Sequence, residues 1–278
     1  MGLGSEYRLV REGNWSLLVN PEIWTPGLWE VILQHLNASS QDPTRHPQTI
    51  KFQFPPTMGG CNFYLKIHNL SDPFGSIKDL FRASKAFRAL KVGRALCSEQ
   101  FHAPTSVAAG ECRTVRFVQQ AFLLTLAVEG SSLPRFLQEH CSDSSDTRSL
   151  KRKREYLIQF ALEIRRLHQM GFVPGALIPE NILVQLQGAG VKFFYLDHDR
   201  TRRYPRWFPH GLWKRNLVQL NHFELAGISR WDRIRFLHIY LGSKTWGKKE
   251  RRLIRWLDRK TRIKFEAWKI STNKNPYY

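Results

Sequence analysis

The segment from Glu155 to Asp197 constrains the fold of this chain more tightly than any other. Its first part, "EYLIQFALEIRRLHQMG", sets Leu157, Phe160, Ala161, Ile164, Leu167 and Met170 at i, i+3/i+4 spacing and ends at Gly171. That is the apolar stripe of a helix with a glycine stop. Its last part, "ILVQLQGAGVKFFYLD", places two apolar runs around the turn Gln187-Gly188-Ala189-Gly190, a hairpin ending in Asp197. Asn181, in "PENILV", precedes the first of those strands. A hairpin folds back on itself, so Asn181 and Asp197 come to one end, and two hard oxygen donors there suit magnesium.

Upstream, the pattern is β-rich. Residues 8–20 suggest a short hairpin around Glu12-Gly13-Asn14, and residues 38–48 read as a polar loop with two prolines. "TIKFQF" (49–54) and "CNFYLKIHNL" (61–70) read as an antiparallel pair, with Lys66 near the end of the second strand. An amphipathic helix is expected over 78–97, and strands over 113–118 and 121–128. Glu129-Gly130-Ser131 then interrupts, before a short helix "SLPRFLQEH" and a polar, charged loop over 141–155. From Arg200 onward the chain reads as helical and basic. The expectation is an α+β, two-lobed architecture: a small β-rich lobe over 1–126 and a mostly helical lobe over 127–278.

Composition fits such a chain. In 278 residues, 42% are hydrophobic and 13% aromatic, enough for a sizeable core. Lys and Arg number 43 against 23 Asp and Glu, a formal charge of +20, which draws polyanions such as nucleic acid, acidic phospholipid or a phosphorylated glycan. Cys61, Cys97, Cys112 and Cys141 form no CxxC pair or Cys/His cluster, so free thiols are expected and a structural zinc is not. The first residues lack the apolar stretch of a secretory signal, and "FVQQAFLLTLAVEG" is too short and polar to span a bilayer. A soluble, cytoplasmic protein is the expectation.

Phosphoryl transfer from ATP needs few groups, because catalysis is mostly positioning and charge neutralisation. A strand lysine holds the phosphates, an Asn and an Asp hold the metal, and a further Asp orients the attacking hydroxyl. Lys66, Asn181 and Asp197 occur in that order, with helix, loop and hairpin between them.

The set "YLKI", "RASKAFRAL", "LIQFALEIRRLHQMGFVPGALIPENILV" and "FFYLDHDRTRRYP" resembles the lipopolysaccharide kinase family, the Kdo/WaaP and InaA-like group with a protein-kinase-like fold. The resemblance implies ATP- and magnesium-dependent phosphorylation of an inner-core sugar, heptose or Kdo, at the cytoplasmic face of the inner membrane. It implies Lys66 as the ATP lysine, and Asn181 and Asp197 as magnesium ligands. The link from Leu126 to Gly130, Glu129 included, looks like the hinge that receives adenine through its backbone.

Three departures accompany the resemblance. Where the family loop carries its acid, this chain reads Pro174-Gly175-Ala176, so no catalytic residue can be named there. Ala86 stands where many kinases pair a Glu with the lysine, and no Gly-rich loop covers the phosphates, residues 36–48 being the candidate. Losing a general base typically costs about 10²–10⁴-fold in rate. The alternative to an active kinase is therefore a pseudokinase that binds nucleotide or phosphorylated glycan. His198 and Asp199 follow Asp197 directly and are the candidates to face the same cleft in place of the missing acid, although the more natural expectation sets Asp199 on the outer side or as a cap.

Two basic stretches remain. "DRTRRYPRWFPHGLWKRN" interleaves Arg with Tyr204, Trp207, Phe208 and Trp213. It reads either as a solvated loop or as an acceptor surface on which Arg pairs with phosphate and aromatics stack on sugar rings. Between Ser243 and Tyr278 lie 12 Lys/Arg and 3 Asp/Glu, a local 12 − 3 = +9. That tail suits a helix on an anionic membrane surface or one packed on the larger lobe. Nucleic-acid binding lacks any supporting signature.

Overall fold

The computed structural model describes residues 7–40, 47–56, 59–69, 83–114, 117–141, 147–188, 190–207, 211–221, 225–242 and 245–274, with side chains in the last stretch to residue 267. Residues 1–6, the 78–82 start of the expected helix, 142–146 of the expected loop and 41–46 of the candidate phosphate-covering segment lie outside the described residues. The chain divides into two compact units: Met1–Glu129 with Asp197–Arg200, and Gly130–Leu196 with Thr201–Tyr278.

The N-terminal unit is built on a six-stranded antiparallel sheet of order β1-β2-β5-β6-β4-β3. Strands β1 (Arg8–Glu12) and β2 (Trp15–Val19) close through the two-residue turn Gly13-Asn14, with Glu12 opposite Trp15. Strands β3 (Gln48–Phe54) and β4 (Cys61–Asn69) pair as expected, Thr49 facing Lys66. Strands β5 (Ser106–Thr114) and β6 (Phe117–Leu126) complete the sheet, and Leu123 lies opposite Lys66. The strand expected over 113–118 meets only the last two residues of β5 and the first two of β6; residues 106–112 escape the sequence pattern because Val107, Ala108 and Ala109 are all buried. A strand covered on both faces loses the alternation that identifies strands.

Two helices cover the two faces. Helix α1 (Pro26–Ser40) begins with Pro at its first position, and Leu28, Ile32 and Leu36 pack on Leu17, Phe63, Leu65 and Phe122. This helix was not anticipated; the expected loop over 38–48 begins inside its last turn. Helix α2 (Lys85–Ser98) packs Ala86 and Leu90 on the opposite face against Ala109 and Ala121. It starts at Lys85 because Ser84 caps it, its hydroxyl accepting from the Phe87 amide at 3.2 Å.

The C-terminal unit is mostly helical. Strand β7 (Ser131–Ser132) leads into helix α3 (Leu133–Cys141), and helix α4 runs from Thr147 to Gln169. The expectation of a loop to residue 155 is corrected: "TRSLKRKRE" is helical. Lys153 explains why, since its buried ammonium lies 2.8 Å from Asp232 Oδ2 and donates to the Gly227 carbonyl at 2.6 Å. Strand β8 (Phe172–Val173), a single 3-10 turn Pro179–Asn181, and the hairpin β9 (Ile182–Gln187) and β10 (Gly190–Tyr195) follow. The hairpin joins β7 in a sheet of order β10-β9-β7, and β8 pairs with β11 (Arg202–Arg203).

Helices α5 (Trp213–Asn221), α6 (Arg230–Leu241) and α7 (Lys248–Lys274) complete the unit. Helix α6 packs on α4 and is capped at both ends, by a Ser229/Asp232 capping box and by left-handed Gly242. Helix α7 turns Leu253, Ile254, Leu257 and Phe265 inward and packs on α5, Asn221 donating to Thr261 Oγ1 at 3.1 Å. Its other face exposes Arg251, Arg252, Arg255, Arg259 and Lys260. An apolar cavity of about 340 Å³ lies inside this unit, lined by Phe136, Leu157, Phe160, Phe193, Leu217 and Leu257 among others.

Candidate active site

Strand β4 supplies the first group. Alternation along the strand turns Phe63, Leu65 and Ile67 toward α1, and so sends Lys66 and His68 to the other face. There Lys66 Nζ meets two carboxylates, Asp197 Oδ1 at 2.7 Å and Asp199 Oδ2 at 2.8 Å. Asp197 holds a left-handed backbone at φ 55°, which Asp tolerates better than most residues. Between the two acids, His198 turns away toward Gly93 of α2, where an added methyl would sit 3.9 Å from its Cδ2.

The electrostatics follow from this packing. Burial alone would pull the Lys66 ammonium down, but the Asp199 charge and the bonds to both carboxylates hold it above its ordinary range. Burial likewise disfavours the Asp197 anion, yet the Lys66 bond and charge outweigh that and lower its pKa. His68 is 2% exposed, and burial pushes it down to about 4, so it is neutral at physiological pH. Its Nε2 lies 3.4 Å from Asp199 Oδ2, close enough to be an ion pair only if protonated.

The position of Asp199 corrects the expectation that it would face outward or cap the next segment. It is 9% exposed and pairs with Lys66. Asp199 was named from sequence but expected to point elsewhere, and His68 is the group sequence reasoning missed here. His68 was signalled only by its place two residues beyond Lys66 on one strand.

The loop of the C-terminal unit is held by neutral groups. It opens at Gly171, whose φ of +82° and whose missing Cβ, which would lie 2.0 Å from the Tyr204 carbonyl oxygen, admit no other residue without a shift. Asn216 of α5 donates to the Pro174 carbonyl at 2.8 Å and to Gln219 Oε1 at 2.7 Å. Gln219 in turn donates to the Gly175 carbonyl at 3.0 Å and accepts from the Leu177 amide at 3.2 Å. Ala176 is thus bracketed by bonds on both sides.

Behind that pair, His168 Nε2 lies 3.1 Å from Asn216 Oδ1 and Nδ1 lies 2.8 Å from the Tyr240 hydroxyl. Asn216 spends its amide hydrogens elsewhere, so His168 Nε2–H donates to the Asn216 side-chain oxygen. None of these supporting residues was identified from sequence. The i, i+3 spacing of Asn216 and Gln219 on one buried helix face was the available signal.

Asn181 donates its side-chain amide to the Ala176 carbonyl at 3.1 Å, which leaves its own oxygen as the group suited to a cation. The Leu196 amide donates to the Asn181 carbonyl at 2.9 Å, closing the hairpin one residue before Asp197. Glu129 is exposed, and the nearby Ala127 amide is taken by the Asn62 carbonyl at 2.8 Å. Among the described residues, Glu129 makes no bond to Lys66 or Asp197.

These groups fit a nucleotide and a divalent cation. Lys66 keeps its charge, Asp197 is held ionised, and the donor chemistry is hard oxygen. No group of three or more His, Cys, Asp and Glu forms a closed metal cage among the described residues. A cation held by so few protein oxygens must complete its shell with phosphate or water, as magnesium commonly does.

Comparison with known proteins bears on this site. The profile of the lipopolysaccharide kinase (Kdo/WaaP) family matches residues 76–240. A solved structure of WaaP in complex with acyl carrier protein is similar over 89% of this chain and 98% of that chain, at 20% identity and a TM-score of 0.63. The Legionella pneumophila LegK7 effector kinase is similar over 63% of this chain and 36% of that one, at 12% identity and a TM-score of 0.36. A search of curated proteins gives no match. The fold is α+β and protein-kinase-like, with a β-sheet N-terminal region and a helical C-terminal region.

Proposed function

The chain belongs to the lipopolysaccharide kinase (Kdo/WaaP) family, and on that premise we propose that it transfers phosphate from ATP to an inner-core heptose or Kdo. The observation that carries this reading is the charged cluster around Lys66, with Asp197 at 2.7 Å. Lys66 would hold nucleotide phosphates, and Asp197 with the Asn181 side-chain oxygen would hold magnesium. The backbone around Glu129 would receive adenine. The metal, when bound, neutralises charge on the transferred phosphoryl group.

Phosphoryl transfer draws most of its acceleration from positioning and electrostatics, so a loop lacking its acid can still support it. Ala176 favours a second reading, a pseudokinase that binds nucleotide without transfer. Isothermal titration with ATP and magnesium, followed by radiolabelled transfer to lipopolysaccharide core, separates the two. Transfer by the native chain supports the kinase; binding without transfer supports the pseudokinase. No ATP binding at all removes Lys66, Asn181 and Asp197 from the site.

The partners proposed are anionic. Arg202, Arg203, Arg206 and Trp207 are all exposed, Trp207 at 81%, and form the proposed surface for a phosphorylated glycan. The exposed basic face of α7 is the proposed contact with an anionic membrane surface. No described helix is long and apolar enough to cross a membrane. WaaP was solved with acyl carrier protein, and we extend that partner to this chain, supported by the apolar cavity of about 340 Å³. Co-purification that survives filling the cavity by Leu217→Trp argues against the cavity's part in it.

A further inference from the structure

We propose that Asp199 is the positioning residue of Lys66, holding its ammonium group in place of the helix α2 carboxylate that this chain lacks. The proposal rests on the reading of Lys66 as the nucleotide lysine. Its ground is a division of labour between two acids two residues apart. Both reach Lys66 Nζ, at 2.7 Å from Asp197 and 2.8 Å from Asp199. Their surroundings differ. The Asp197 side chain is 37% exposed and open to a cation, whereas that of Asp199 is 11% exposed and backed by the buried ring of His68.

Helix α2 cannot supply the carboxylate from the position where many kinases place it. Ala86 is fully buried and packs with Ala109, Val118 and Ala121. A Glu there would bury a charge among methyl groups, which is strongly unfavourable. Asp199 reaches Lys66 from the other direction, on the segment Asp197–Arg200 that packs with the N-terminal unit. The left-handed turn at Asp197 makes this possible by aiming residues 197 and 199 at one point while His198 points elsewhere.

A lysine stem has four rotatable carbons and loses rotamer freedom when it grips a phosphate. An acid that already fixes the stem removes part of that cost before the nucleotide arrives. Asp197 cannot serve this purpose throughout, because the cation draws on the same carboxylate. Asp199 remains on Lys66 whether or not metal is bound.

The test is ATP affinity by isothermal titration, in EDTA and in magnesium, for the native chain, Lys66→Ala, Asp197→Asn and Asp199→Asn. A hydrogen bond to a charged group corresponds to about 10–100-fold in binding. Asp199→Asn should weaken ATP by that factor in both conditions, in parallel with Lys66→Ala. Asp197→Asn should weaken it mainly in magnesium. Native-like affinity in Asp199→Asn overturns the proposal. So does a loss confined to magnesium, which would make Asp199 a metal ligand instead. Native-like affinity in Lys66→Ala sinks the reading of Lys66 itself, and that outcome is distinct from the other two. If thermal melting shows Asp199→Asn unfolded, Asp199→Glu carries the test. Affinity within about threefold of native supports the proposal, and a loss as large as that of Lys66→Ala overturns it.

Discussion

The charged cluster of the N-terminal unit and the loop of the C-terminal unit have kept different things. Around Lys66 the charges survive: an ammonium, two carboxylates, and a neutral imidazole behind them. Around Ala176 the scaffold survives without a charge, since Asn216 and Gln219 still hold the backbone on either side of a methyl group. Charge is what binding phosphate requires, while a fixed backbone is what an acceptor-orienting side chain requires. This molecule has a cluster of charges at the first place and a pinned backbone that carries only a methyl group at the second.

The largest expected effect would sharpen that contrast. Ala176→Asp, placed on a backbone already pinned at Gly175 and Leu177, should raise phosphate transfer by about 10²–10⁴-fold. ATP affinity should stay within about twofold, because the charges that bind phosphate are elsewhere. Initial rates with radiolabelled ATP measure it, and an unchanged rate would break the comparison by showing that position 176 is not where the acceptor is oriented.

Acid should strike the N-terminal unit through His68. Its folded pKa of about 4 lies below the unfolded value near 6.5, so only the unfolded chain takes up the proton between them. The stability that a neutral His68 maintains is full above about pH 6.5 and is lost as pH falls toward 4, by about 3 kcal/mol in total. Urea unfolding at a series of pH values should show this slope, and His68→Leu should flatten it. A slope equal in both chains would mean that other groups carry the acid sensitivity.

A smaller loss is expected in the loop. Gln219→Leu strips partners from the Gly175 carbonyl, the Leu177 amide and Asn216 at once. Destabilisation of about 2 kcal/mol should result, visible as a lower urea midpoint. The smallest effects belong to the surface. Arg252→Glu and Arg259→Glu on α7 should each change stability by less than about 0.5 kcal/mol while weakening binding to anionic vesicles by about 1 kcal/mol apiece. Unchanged sedimentation with vesicles would remove the membrane from the list of partners.

Parts of this architecture were legible in the residues. The stripe from Leu157 to Leu167 lies on one buried face of α4, and "ILVQLQGAGVKFFYLD" forms the expected hairpin. Lys66 sits on the second strand of its expected pair, while its contact with Asp197 at 2.7 Å was not foreseen. Other parts escaped for physical reasons. Helix α1 carries Leu28, Ile32 and Leu36 at i, i+4 spacing, but a mixed, moderately apolar composition muted the signal. The N-terminal turns of α4 read as a polar loop because the partner of Lys153, Asp232, lies far along the chain.

By itself the sequence determined the local periods, the sign of the net charge and the presence of an alanine at position 176, because each is a property of residue type and spacing. Only the tertiary structure decided that Asp199 points at Lys66, that His68 is neutral and that Gln219 holds the loop. A side chain's direction depends on backbone angles such as the φ of 55° at Asp197, and its protonation depends on what buries it. Neither quantity is written in the spacing of letters.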